Sequence, residues 1–166
     1  MSENQLDHIN QLIISEFAKT VEMFDLNSSE ARLFAILYIE GEPMTLDQMS
    51  EALGKSKTSI STGIRSLLEL NLVERVWKKG ERKDLYRADE NLYKKFMNAF
   101  IHKWLDAANR QKNSLEEIES ILEESTFNEK DSKEEVDELF GRLKKMIAFH
   151  QLIQEAFTEI KPKKST

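Results

Sequence analysis

The chain has 166 residues, 40% of them hydrophobic and 33% charged, with five glycines, two prolines and no cysteine. The missing cysteines exclude a disulfide framework, a thiolate zinc site and a cysteine nucleophile. So few glycines and prolines argue against a turn-rich β-sandwich or barrel. The formal net charge of −6 and the pI near 5.3 argue, as whole-chain averages, against a nucleic-acid partner.

The length predicts one compact domain, or one domain with an added oligomerisation segment. The opening residues MSENQLDHIN have neither the basic start nor the apolar run of a signal peptide. The longest apolar run, Leu33 to Ile39, is 7 residues, whereas about 20 are needed to span a bilayer. A soluble cytoplasmic protein without a membrane partner is expected.

Residues 4–24 read as a helix, because Leu6, Ile9, Ile13, Phe17, Val21 and Phe24 recur every three or four positions. Asp25 and Asn27 interrupt it. Asn27 can cap a second helix, SSEARLFAILYIE, with Glu30 as its capping-box partner. That helix is apolar nearly all round and is expected to be buried. Gly41, Glu42 and Pro43 stop it. Thr45 opens a third helix, TLDQMSEAL, with Gln48 in the capping-box position and Gly54 as the stop. Ser56 opens a fourth, to about Glu69, whose apolar face is Ile60, Ile64, Leu67 and Leu68.

The period then changes. Residues 72–78, LVERVWK, and the later DLYRA read as two strands of a hairpin around the basic turn KKGERK, centred on Gly80. From Glu90 the helical period returns through Leu92, Phe96, Phe100, Ala107, Leu115, Ile118 and Leu122. The polar stretch STFNEKDS ends it. The last helix carries Val136, Leu139, Leu143, Met146, His150, Ile153, Phe157 and Ile160 at alternating spacings of three and four, a heptad seam. Residues 161–166 read as a frayed tail.

The order helix, helix, helix, hairpin is the plan of a winged helix-turn-helix. The fold expected is therefore mainly α: a winged lobe over residues 28–90, with long N- and C-terminal helices (1–27 and 91–160) as a dimerisation region. In this plan residues 45–53 form the positioning helix and residues 56–69 the recognition helix, which enters the major groove. Its free face carries small hydroxyls with Lys57 and Arg65, suited to close approach and hydrogen bonding. Lys78, Lys79, Arg82 and Lys83 on the wing suit phosphates, or an arginine in the minor groove. The same features also suit a solvated surface or a winged-helix protein-interaction module.

Counting charge by position answers the objection from the average. Residues 54–87 hold nine basic and four acidic side chains, a net +5, whereas residues 114–138 alone hold eleven acids and two lysines, a net −9. Screening over a Debye length of about 8 Å leaves distant acids little effect on a basic face.

The segment TLDQMSEALGKSKTSISTGIRSLLELNLVERVWKKGERKDLYRADE resembles the winged-helix core of MarR-like regulators. More narrowly it resembles the GbsR subgroup, associated with glycine betaine synthesis and osmoprotectant uptake. The resemblance rests on S-K-x-x-x-S at the recognition helix, L-x-x-x-x-L-V-x-x-V-W after it and K-G-x-R-K-D at the wing. It implies a homodimeric transcriptional regulator, usually a repressor, on a near-palindromic operator of double-stranded DNA. Carried over residue by residue, the implied DNA contacts are Ser56, Lys57, Thr58, Ser59, Ser61, Thr62 and Arg65, with Lys79, Arg82 and Lys83 on the wing. The chain departs from the wider MarR pattern in lacking an L-T-x-x-G stretch after Tyr86, so the salicylate-type sites of that group do not carry over.

The seam Val136, Leu139, Leu143, Met146, His150, Ile153, Phe157 and Ile160 is expected to pair with a dimer mate, helped by residues 4–24 and 92–122. The alternative is packing within its own chain. His150 on the seam reads as a hydrogen-bonded core histidine, with a pH- or ligand-responsive residue as the sharper alternative. Tyr93, Phe96, Phe100 and Trp104 fall on neighbouring turns of the fifth helix. Aromatic faces attract quaternary ammonium groups, and the resemblance implies choline or glycine betaine as a ligand. These four, joined by Phe24, Phe34 or Tyr38, would form a cage between the DNA-binding lobe and the dimer helices; ordinary core packing is the alternative, as is a constitutive DNA binder without a ligand. No G-x-S-x-G, phosphate-cradling loop or metal-ligand spacing is present, and His8 and His102 are isolated. Neither an enzyme nor a cofactor is expected.

Overall fold

The computed structural model describes residues 2–125 and 132–162. Most of the polar break after the fifth helix, and residues 163–166 of the tail, lie outside the described residues. The elements are α1 (Glu3–Glu22), α2 (Ser28–Glu40), α3 (Leu46–Leu53), α4 (Lys57–Glu69), β1 (Val73–Val76), β2 (Leu85–Ala88), α5 (Leu92–Glu124) and α6 (Lys133–Ile160). They fall into two compact units, one ending at Ala99 and the other starting at Phe100. Among the described residues no helix is long and apolar enough to cross a membrane.

The helix starts lie where side-chain caps can satisfy the free N–H groups of the first turn. Ser2 and Gln5 close a capping box on α1, and Thr45 and Gln48 close one on α3 at 3.1 and 2.8 Å. Asn27 caps α2 by accepting from the Glu30 N–H at 2.8 Å, and Ser56 caps α4. The Glu30 carboxylate also accepts from Ser66 Oγ at 2.9 Å, which ties α4 to the start of α2.

The first unit is built round α2. Ala31, Leu33, Phe34, Ala35, Ile36 and Leu37 are all buried, as an all-round apolar helix requires. Met49 of α3, Ile60, Ile64 and Leu67 of α4, and Leu72, Val73 and Tyr86 of the hairpin close over it. α4 reaches α2 at Gly63, where a Cβ would stand 2.9 Å from Leu33 Cδ2. A side chain here would press on Leu33, so glycine suits this close crossing of the two helices.

Two features of this unit differ from the sequence-based expectation. α1, assigned above to a separate helical region, sends Ile14, Ala18 and Val21 into the same core as α2. The hairpin also gains a third partner. The expected hairpin forms, with Val73 paired to Ala88 and Val76 to Leu85, but Met44 adds a bridge to Tyr86, with N to O distances of 2.8 and 2.9 Å in the two directions. One residue of extended chain between Pro43 and Thr45 has no alternation by which to be recognised.

The second unit is an antiparallel helical hairpin. Trp104 stacks on Phe157 at 6.0 Å and Phe100 meets the same ring at 6.2 Å. Further along, Gln154 Nε2 donates to Asn109 Oδ1 at 3.0 Å. Toward the other end Ile118, Ile121 and Leu122 of α5 face Leu139, Leu143 and Met146 of α6 across an apolar groove of about 260 Å³.

Candidate nucleic-acid interface

α4 has the two-faced character that a reading helix needs. Ile60, Ile64 and Leu67 are buried, and on the other side Lys57, Thr58, Ser59, Thr62 and Arg65 are exposed, with Ser61 half-buried. Two of the hydroxyls already have structural work. Ser56 Oγ accepts from the Ser59 N–H at 3.2 Å, and Thr62 Oγ1 donates to the Thr58 carbonyl at 3.1 Å, leaving its lone pairs outward.

The wing presents its basic residues at an exposed turn. The Glu81 N–H donates to the Lys78 carbonyl at 3.1 Å, and Gly80, third of those four residues, has φ of 86°. A side chain is disfavoured there, so glycine sets the turn. Lys78, Lys79, Arg82 and Lys83 are exposed. The arms are braced by cross-strand pairs: Arg87 with Glu74, and the Arg75 guanidinium 5.8 Å above the Tyr86 ring.

Helix and wing share a partner that sequence reasoning did not single out. Asp47, in the first turn of α3, lies 3.3 Å from Lys57 Nζ and 2.7 Å from Lys83 Nζ. The hydrogen bond from Lys83, and then Lys57, holds the Asp47 carboxyl below the usual carboxylate range; Asp47 in turn pushes Lys83 up. By contrast Arg65, Lys79 and Arg82 have no ion pair among the described residues. Trp77, at the base of the wing, is 81% exposed. A shallow cleft of about 130 Å³ beside α4 carries Arg32 and Lys55 with Ser28, Ser29 and Ser59. The sequence marks Trp77 as a strand residue and as the end of the V-x-x-V-W motif, not as an exposed side chain. Arg32 sits on a helix whose apolar pattern hides a single outward cation.

The aromatics of α5 contribute to the packing of both units. Phe96 is a core side chain, 4% exposed, its ring 4.9 Å from both Phe24 and Phe34. Tyr93 is exposed, and with Phe17, Phe24, Phe96 and Met97 it lines an apolar groove of about 210 Å³. Phe100 and Trp104 gather round Phe157 in the second unit.

The heptad seam is likewise divided. Leu143 is buried, and Phe157 is covered by aromatics of its own chain. His150 is half-buried and its Nδ1 donates to the Met146 carbonyl at 2.7 Å. Val136 and Ile153 are half-buried. Leu139, Met146 and Ile160 remain exposed, joined by Phe149 and Leu152 from outside the seam. The expected single face is thus two: α5 takes one flank of the stripe, and the uncovered apolar face is rotated toward Phe149 and Leu152.

Comparison with known proteins agrees with this architecture. The family model described as "Sugar-specific transcriptional regulator TrmB" matches residues 21–91. Of curated proteins from Bacillus subtilis, the putative HTH-type transcriptional regulator YvaV is 33% identical over 82% of this chain and 78% of its own length. The HTH-type transcriptional repressor GbsR is 30% identical over 90% and 84%, and the repressor OpcR 29% identical over 87% and 80%. A crystal structure of a transcriptional regulator superposes with a TM-score of 0.62 at 17% identity, covering 90% of this chain and 93% of that one, and shares the fold. With a winged helix-turn-helix that leaves one face of α4 and a basic wing exposed, the chain belongs to the family of HTH-type transcriptional regulators that includes GbsR and YvaV, and is a DNA-binding regulator.

Proposed function

We propose that the protein is a homodimeric repressor that grips a near-palindromic operator and is controlled by a small quaternary ammonium ligand such as choline or glycine betaine. In each half-site α4 enters the major groove with Lys57, Thr58, Ser59, Ser61, Thr62 and Arg65 toward the bases and backbone. Lys79, Arg82 and Lys83 of the wing meet phosphates or the adjacent minor groove, and Ser56 starts the reading helix. The observation that carries this reading is the tie of α4 and the wing to one carboxylate, Asp47, which brings the start of the helix and an arm of the wing together. That relatives of this chain bear the name repressor supports the sign.

A two-fold operator calls for a two-fold protein. The uncovered apolar face of α5 and α6 (Ile118, Ile121, Leu139, Met146, Phe149, Leu152), with Leu6, Ile9, Leu12 and Ile13 of α1, supports self-association. For the effector, the groove walled by Phe17, Phe24, Tyr93 and Phe96 offers the aromatic faces that attract a quaternary ammonium. A ligand there acts only by binding one dimer form better than the other.

The test uses a duplex selected by the protein from a random pool. Arg65→Ala and Arg82→Ala are expected to weaken binding while sedimentation still reports the dimer, and affinity is expected to fall steeply with salt. Wild-type binding by both variants refutes the assigned surface. No saturable change in tryptophan fluorescence or in duplex binding up to millimolar choline or glycine betaine refutes the effector.

A further inference from the structure

Lys57 and Lys83 differ from the other cations of the proposed reading surface, because both are already paired with one carboxylate. Asp47 uses each oxygen once, Oδ1 at 3.3 Å from Lys57 and Oδ2 at 2.7 Å from Lys83. Three elements meet there: the first turn of α3, the first residue of α4 and the returning arm of the wing. We propose that Asp47 is a specificity-determining residue of the DNA site, an internal counter-anion that stands where a phosphate would and withholds two lysines from non-cognate DNA. The inference rests on the reading of α4 and the wing as the DNA-binding surface.

Two effects of the pair act together. The first is charge. Non-specific affinity comes from counterion release as lysines and arginines neutralise phosphates. A lysine that already has a protein carboxylate as its counter-ion has less to release. The second is geometry. Before DNA arrives the carboxylate holds the wing arm beside the start of α4, and only a duplex whose phosphates lie in register with both lysines takes its place. All three side chains are about half exposed, at 47% for Asp47, 61% for Lys57 and 63% for Lys83. Exposed pairs of this kind are weak, so a phosphate held in register by the rest of the surface can replace the carboxylate. Both lysines keep the Asp47 carboxyl ionised below the usual carboxylate range, so the counter-anion is in place throughout the neutral range.

The test compares Asp47→Asn with wild type on a random-sequence duplex and on a duplex selected by the wild-type protein. The variant is expected to bind the random duplex roughly three- to tenfold tighter at 0.1 M salt, with a logarithmic salt slope steeper by about 1 to 2, since each phosphate gained adds about 0.9. The ratio of selected to random affinity is expected to fall at least about threefold, as freed lysines reward any duplex. Unchanged or weaker random binding, or an unchanged ratio, overturns the proposal. So does the same gain from Glu51→Gln, which removes an acid from α3 that pairs with no cation among the described residues. A second comparison does not depend on the folding of the Asp47 variant. Lys57→Gln with Lys83→Gln is expected to lose much less random-duplex affinity than Lys78→Gln with Lys79→Gln; equal losses overturn it. Arg65→Ala and Arg82→Ala separate the two claims. If they lose the selected duplex while Asp47→Asn behaves as wild type, the DNA surface stands and only the counter-anion falls.

Discussion

Gly63 fixes how closely the reading helix lies on the core, and Gly63→Ala measures what that closeness is worth. A Cβ at this position would sit 2.9 Å from Leu33 Cδ2. Ordinary carbon contacts lie near 3.5–4.0 Å, so about 0.6 Å or more must be found. Leu33 is 2% exposed and closed in by its neighbours, and α4 can retreat only by drawing Ile60, Ile64 and Leu67 out of the core. Overpacking of this kind costs about 1–3 kcal/mol, while replacing glycine by alanine inside a helix returns about 1 kcal/mol. The net expectation is a loss of about 0–2 kcal/mol. A control removes the ambiguity of that range. Gly141, in α6, has nothing within 4 Å of a built Cβ, so Gly141→Ala should show the helix-propensity gain alone, about +1 kcal/mol. Urea unfolding followed by circular dichroism, with matching m-values, should place Gly63→Ala about 1–3 kcal/mol below Gly141→Ala. Equal stabilisation by the two variants would refute the close crossing of α2 and α4.

Other outcomes follow from the same structure. Leu139→Glu with Leu152→Glu alters exposed positions of α6, so the helical signal by circular dichroism should hold while sedimentation shows weaker self-association. Thr45→Ala removes the cap of α3 and half of its capping box, an expected loss of about 1 kcal/mol in a urea titration. For the Asp47 cluster, the depressed carboxyl contributes above its unfolded value of 3.8 and is lost as pH falls through its lower folded value. The raised Lys83 contributes below 10.5 and is lost as pH rises through its higher folded value. NMR titration should therefore find Asp47 protonating below 3.8 and no break in the cluster between pH 5 and 9; a midpoint for Asp47 above 3.8 would contradict the pairing.

What could be read from the chain alone was local. Asn27 and Thr45 announce helix starts because a cap and a Glu or Gln lie three residues apart, and Gly80 announces the wing because a turn needs only four residues. The exposed face of α4 follows from the placing of Ile60, Ile64 and Leu67. The features that escaped join distant segments. Asp47 meets Lys83 across 36 positions, Met44 pairs with Tyr86 across the whole of α3 and α4, and Gly63 matters only because Leu33 lies opposite. None of these leaves a periodic signal, since each is decided by packing between elements whose relative placing no spacing encodes.

The seam of α6 shows the same limit within a single helix. Heptad spacing identifies which residues shun water, but two surfaces can compete to cover one stripe. Here α5 of the same chain covers Leu143 and stacks Trp104 on Phe157, while Phe149 and Leu152, outside the heptad, stay exposed at 59% and 63%. An apolar face that wide exceeds what one antiparallel neighbour can bury. A lone monomer would keep these side chains in water beside Leu139 and Met146, at a cost of about 25 cal/mol for each Å² left uncovered. In the proposed dimer, burial against a second copy would remove that cost. Periodicity alone therefore marks α6 as apolar but misses the flank, through Phe149 and Leu152, that its own chain leaves uncovered.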